Sequence, residues 1–236
     1  MNAEITDKIS ALFELRRIPW LLRLTNCSDE ERQSYYQRLI SLQFHIYGLD
    51  KYLEQTWDPD PDILNQLWES CIDQLSLLEI KHEEARALLH SFHIYLQREL
   101  AIRKGKTPEL LTIRSFYWHK SCDVKLMRTL IYDRFSAITK EIPRQAWIAF
   151  DYLTEIVDDL EDLEEDTHII NGNRLLFALR NRPISQVRQE YLDFTTWIEQ
   201  RSKPDRKNWP ARMIDEFEEH LFQVRRALKQ VILPGQ

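Results

Sequence analysis

Apolar residues recur along this chain at the three- and four-residue spacing of a helix, and nowhere do they alternate with polar ones for more than a few positions. Leu64, Leu67, Trp68, Cys71, Leu75 and Leu78 form one such stripe; Ala149, Leu153, Ile156, Leu160 and Leu163 form another. The first helix is expected over residues 3–24, bent or restarted at Pro19, whose nitrogen has no proton to donate. Ser28, ahead of Asp29, Glu30 and Glu31, caps a second helix that runs to about Trp57, where the run Asp58-Pro59-Asp60-Pro61-Asp62 ends it. The Leu64 stripe marks a third, and residues 83–104 a fourth. Thr107 and Pro108 read as cap and first residue of a long helix through about Phe135, and Pro143 opens a helix that becomes acidic. That helix is apolar on every side over residues 146–150, which predicts burial all round at its start. Short helices over residues 174–179 and 184–201 lead to a last one from Pro210 to about Ile232. Only 4 glycines occur, and Asn-Gly appears once, at Asn171-Gly172. The fold class is therefore all-α: a single-domain bundle of about eight helices over residues 1–236.

Composition narrows the picture. At 236 residues and 43% hydrophobic content the chain can bury a sizeable core. The formal charge of −6, with basic residues scattered, argues against a nucleic-acid partner, which would need a concentrated basic face. Cys27, Cys71 and Cys122 match no zinc spacing and read as reduced residues. Glu4 and Asp7 stand where a signal peptide would carry positive charge, and no window holds about 20 apolar residues, so a soluble, cytoplasmic protein is expected, with peripheral membrane contact left open.

The densest chemistry lies at the end of the acidic helix. Seven of the nine residues 158–166 are carboxylates, and Asp158, Asp162 and Asp166 recur at every fourth position. On a helix they share one face, about 6 Å apart at 1.5 Å rise per residue. Like charges at that spacing repel, and acids near a helix C-terminus face the negative end of the dipole. A cation relieves both penalties, and Mg²⁺ is held in this way, by a few carboxylates together with substrate phosphate oxygens.

The run Asp158-Asp159-Leu160-Glu161-Asp162, with Asp166 four residues on, is similar to the second aspartate-rich motif of the trans-isoprenyl diphosphate synthases and class I terpenoid synthases. Gly172-Asn173-Arg174 resembles that family's turn into an apolar helix, with Asn173 in place of a lysine. Lys120-Ser121, 38 residues upstream of Asp158, resembles its diphosphate-binding Lys-Thr pair, and Arg16-Arg17-Ile18-Pro19 resembles its N-terminal diphosphate-binding turn, with Glu14, Leu15 and Ile18 at odds with that pattern. The first aspartate-rich motif is missing; Asp50 and Glu54 are the nearest i,i+4 pair. The pair usual before the second motif is replaced by Thr154-Glu155.

The resemblance implies an isoprenoid synthase-like bundle that uses a prenyl diphosphate with Mg²⁺, and a homodimer. Its metal ligands would be Asp158, Asp159, Asp162 and Asp166, with Asp50 and Glu54 as a second set. Lys120 and Arg128 would be catalytic, and Lys120, Arg16, Arg17 and Arg174 would bind the diphosphate. Diphosphate loss would leave an allylic carbocation for chain elongation or terpene cyclisation.

Other readings stand beside this one. The acidic row also suits a solvated helix end, Asp50 with Glu54 an ordinary surface pair, and Lys120 a buried ion pair with Asp123 or another acid. The missing first motif suits a catalytically inactive homologue acting as a binding or regulatory subunit. Glu79-Ile80-Lys81-His82 and Glu165-Asp166-Thr167-His168 are two Glu-x-x-His units of the kind found in di-iron bundles, for which Asp50 and Asp123 would complete the set. His90 and His93 read as packed histidines, and Phe92, Phe116, Tyr117 and Trp118 as core. No phosphate loop or nucleophile elbow is visible.

Overall fold

The computed structural model describes residues 3–56, 58–78, 83–103, 110–167 and 173–233. Among them every regular element is helical: α1 (Ala3–Leu15), α2 (Ile18–Arg23), α3 (Asp29–Gln55), α4 (Pro61–Ser76), α5 (Glu83–Arg103), α6 (Ile113–Lys120), α7 (Cys122–Arg134), α8 (Ala146–Glu161), α9 (Arg174–Asn181), α10 (Ile184–Ser202) and α11 (Ala211–Gln230). Short 3-10 turns occupy Ser136–Lys140, Glu165–Thr167 and Arg206–Asn208. The all-α class read from the periodicity is what the chain adopts.

Local chemistry sets the boundaries. The Ser28 hydroxyl accepts the Glu31 amide at 3.2 Å, and the Asp60 carboxylate accepts the Asp62 amide at 2.8 Å ahead of α4. Where about eight helices were expected, and nine placed one by one, the described residues form eleven, because two expected elements divide. The first breaks at Arg17, whose φ of 60 is the one positive value among described non-glycine residues; α2 then restarts with proline in its first turn. The long helix expected from Thr107 begins instead at Ile113, capped by Thr112, whose hydroxyl accepts the Ser115 amide at 3.3 Å. Thr107 and Pro108 lie outside the described residues. This helix also breaks at Ser121, whose hydroxyl donates to the Tyr117 carbonyl at 2.8 Å, the back-bonding that bends helices. The acidic helix starts at Ala146, after a turn in which the Ala146 amide meets the Pro143 carbonyl at 3.0 Å, and it ends at Glu161.

The chain folds as two compact units, each drawn from two stretches: Met1–His90 with Cys122–Glu141, and Ser91–Ser121 with Ile142–Gln236. In the first, α3 supplies the central stripe, with Tyr35, Leu39, Leu42, Ile46, Leu49 and Leu53 buried, and α1, α2, α4 and α7 pack on it. A buried polar knot ties the α1–α2 corner to α7. Arg16 donates to Asp123 at 2.7 Å, and Arg128 donates to the Arg16 carbonyl at 2.7 Å. In the second unit α8 is the central helix, buried at nearly every position from Ala146 to Ile156, with α6, α9, α10 and α11 packed around it. None of the three cysteines is in a disulfide, and no helix among the described residues is long and apolar enough to cross a membrane.

Removing one member of a buried pair leaves the other charge uncompensated, so Arg16→Met is expected to cost about 3 kcal/mol in urea denaturation. Arg16→Met combined with Asp123→Leu should cost clearly less than Arg16→Met alone; an equal or larger loss in the double variant would show that the pair does not govern this corner.

Candidate functional site

Asp159 sits in the last turn of α8 and is 1% exposed. A buried carboxylate persists only if donors surround it. Three do so here. The Tyr117 hydroxyl donates to Oδ2 at 2.6 Å, Lys120 Nζ to Oδ1 at 2.5 Å, and the Leu175 backbone amide to Oδ2 at 3.4 Å. Tyr117 and Lys120 are three residues apart on α6 and so project from one side of it. Leu175 belongs to the first turn of α9, where amides lack helical partners and the dipole favours an anion.

Lys120 also reaches Asp158 at 2.8 Å, so one ammonium spans two adjacent carboxylates. Burial alone would lower the Lys120 pKa, but Asp158, Asp159 and Glu155 hold it well above the usual lysine value. The Tyr117 phenol is pushed well up by burial and by the Asp159 charge. Behind it the Tyr191 hydroxyl lies 3.2 Å away and bonds to Arg174, which donates to Glu190 at 3.0 Å; Arg182 reaches the other Glu190 oxygen.

Asn173 joins the other end of the row. Its amide donates to the Asp159 carbonyl at 2.8 Å and to Asp166 at 2.7 Å, while its own carbonyl oxygen accepts the Leu176 amide and caps α9. Among the described residues none donates to the carboxyl of Asp162. Its carboxyl is pushed up to about 7, first by burial and then by the charges of Asp158 and Asp166; Lys120 acts in the opposite sense and Glu165 adds to the rise.

The expected single helical face is thus modified. Asp158 and Asp159 lie on α8, Asp162 closes it, and Asp166 falls in the 3-10 turn beyond. The order of exposure also differs from an evenly solvated row: Asp159 and Asp166 are buried, Asp158 and Asp162 half-buried, and Glu161, Glu164 and Glu165 exposed. Among the described residues no three His, Cys, Asp or Glu side chains group closely enough to hold a metal ion. The donors suit Mg²⁺ in kind, being hard carboxylate oxygens, and in number they would leave several positions to phosphate and water.

Within the second unit the fold brings together Lys120, Asp158, Asp159 and Asp166, with Asp162 next in line. Arg174 belongs to the same unit but is engaged with Glu190 and Tyr191. Arg16, Arg17, Arg128 and Asp50 belong to the first unit. There Arg16 and Arg128 form the corner knot, and Arg17 donates to the Glu14 carbonyl at 2.8 Å. Asp50, half-buried on α3, adds to the burial that pushes the Cys71 thiol up to about 12. The Glu54 side chain, Glu79, His82, His168, Asn171 and Gly172 lie outside what is described. Asp123, the acid named above as an alternative partner of Lys120, pairs with Arg16. Tyr117 is buried, as a core residue should be, but its hydroxyl does more than fill space, and Tyr191 is a site residue that sequence reasoning missed. The one signal for Tyr117 is its place three residues before Lys120; Tyr191 gives none.

No family model, no curated protein and no solved structure matches this chain.

Two measurements follow from this geometry. Tyr117→Phe removes a donor from a buried carboxylate and should cost about 2 kcal/mol in urea denaturation; unchanged stability would mean that Asp159 does not depend on it. For Asp162, whose carboxyl rises from 3.8 to about 7, the folded state retains a proton that the unfolded chain has lost between those values. Stability therefore falls as pH climbs through that window and stays reduced above it. Asp162→Asn should raise the melting temperature at pH 8 and change it little at pH 4, whereas equal effects at both would rule out the charge as the cause.

Proposed function

We propose that the acidic end of α8 binds a prenyl diphosphate together with Mg²⁺, and that loss of the diphosphate begins chain elongation or terpene cyclisation. The observation that carries this reading is the Lys120 ammonium held at 2.8 and 2.5 Å from Asp158 and Asp159, next to Asp162, whose carboxyl burial and the neighbouring acids push up to about 7. A magnesium diphosphate needs both signs side by side: cationic donors for phosphate oxygens and carboxylates for the metal.

Asp158 and Asp162 would hold the ion, with Asp166 behind them, and bound Mg²⁺ would supply counter-charge for the departing diphosphate. Lys120 would turn from Asp158 to a phosphate oxygen while Asp159 keeps it anchored. The carbon–oxygen bond breaks with its electron pair on the diphosphate, leaving an allylic carbocation that the surrounding protein must shield from water. Asp159 serves here as an anchor, since its bonds to Tyr117, Lys120 and Leu175 occupy both oxygens. The same reading carries a homodimer in the cytoplasm.

A second reading is favoured by a specific feature. Asp158 and Asp159 already share the Lys120 ammonium, which offsets part of their charge without any ligand, as in a silent homologue that retains the fold as a binding or regulatory subunit. The two separate in one assay. Mg²⁺-dependent release of pyrophosphate from C10, C15 or C20 prenyl diphosphates, lost in the Asp158→Ala/Asp162→Ala variant, is the expected result. No release from any of the three, with no rise in melting temperature on adding Mg²⁺ and pyrophosphate, would reject the enzyme and the site together. A rise in melting temperature without turnover would leave the binding subunit.

A further inference from the structure

The second unit holds a cleft that the acidic row does not use. It encloses about 600 Å³, within the range of small-molecule sites, and lies among the start of α6, the first half of α8, the end of α10 and the turn before α11. Ala149 lines it, and about two and a half turns of α8 separate Ala149 from Asp158, which puts the two on opposite faces of that helix.

Its walls are aromatic: Trp118, Tyr152, Trp197 and Trp209. Its charges are mainly positive, with Arg114 and Arg201 set against one lining acid, Asp205. Among the described residues neither arginine pairs with a carboxylate. Instead Arg114 lies over the Trp197 ring, 4.5 Å from its centre, and bonds to the Tyr152 hydroxyl. That stack fixes a guanidinium plane at the mouth of an aromatic slot, cutting the ordering that a ligand would otherwise impose on it. Trp209, 6% exposed, closes one wall.

We infer that this cleft binds a small, flat aromatic anion, its ring against the aromatic lining at Trp118 and its carboxylate on Arg201 and on the edge of the Arg114 guanidinium that Trp197 supports. A guanidinium fork matches a carboxylate in two parallel hydrogen bonds, and indole faces take up the ring. Aliphatic acids and uncharged aromatics each satisfy half of the site.

The probe is 2-naphthoate, followed by quenching of tryptophan fluorescence and by calorimetry, with 2-naphthalenemethanol and cyclohexanecarboxylate as the uncharged and non-aromatic counterparts. The expected result is one molecule bound per chain, with each counterpart at least about tenfold weaker. Arg114→Gln and Arg201→Gln, both at exposed positions where folding should survive, should each weaken 2-naphthoate by a similar factor, and Trp197→Leu should do the same. Arg212→Gln, on α11 outside the cleft, should not. Mg²⁺ with pyrophosphate should leave binding intact, which keeps this test separate from that of the acidic row. No binding of 2-naphthoate, equal binding of a counterpart, or affinity unchanged in both arginine variants would overturn the proposal.

Discussion

The second unit is organised around one buried charge. Asp159 cannot be taken out of water unless its oxygens are met, and the groups that meet them come from two other helices: Tyr117 and Lys120 of α6 and the Leu175 amide of α9. Satisfying one carboxylate thereby fixes the approach of α6 and of α9 to α8. Asn173 completes the arrangement, bonding the Asp159 carbonyl and Asp166 while capping α9. A neutral residue at position 159 would remove the reason for these contacts, and a lone buried carboxylate without them would be untenable.

The same arrangement decides the electrostatics next to it. Lys120 is drawn to Asp158 and Asp159, so its single charge is largely compensated before Asp162 is reached. Asp162 stays half-buried between Asp158 and Asp166 and holds its proton to near neutral pH. Both ends of the row are therefore met by protein groups, Lys120 at Asp158 and Asn173 at Asp166, while among the described residues Asp162 between them has no donor. The proposed metal site draws on this unevenness: repulsion that the fold does not relieve is available to a ligand that does.

Much of the fold was legible because burial and period agree. On α4 the stripe points correctly to Cys71 and Leu75, both buried. The clearest case is α8: of its expected apolar stripe Ala149, Leu153, Ile156 and Leu163 are buried and Leu160 is half-buried, and the apolar run at its start is buried with only Ile148 partly open. The breaks were less legible. Pro19 signals the first, but the residue that turns the chain is Arg17, and no side-chain rule asks for a left-handed arginine. Ser121 gives no warning, since its effect comes from a hydroxyl turned back on the Tyr117 carbonyl within a stretch that is otherwise helical in pattern. In the site, the acids and Lys120 stand out by charge and spacing. Tyr117 and Tyr191 do not, because a tyrosine that anchors a carboxylate and a tyrosine that fills a core look alike until the carboxylate is placed beside the hydroxyl.

Burial and the acids on either side push the Asp162 carboxyl up to about 7, and under the proposed function a bound cation takes the place of that proton. Carbon-13 NMR titration of the Asp162 carboxyl, with and without Mg²⁺ and pyrophosphate, measures this directly. The account predicts a midpoint near 7 for the protein alone and a fall of more than one pH unit when both are added. An ordinary aspartate midpoint in the free protein, or a raised one that Mg²⁺ and pyrophosphate leave unmoved, would contradict it.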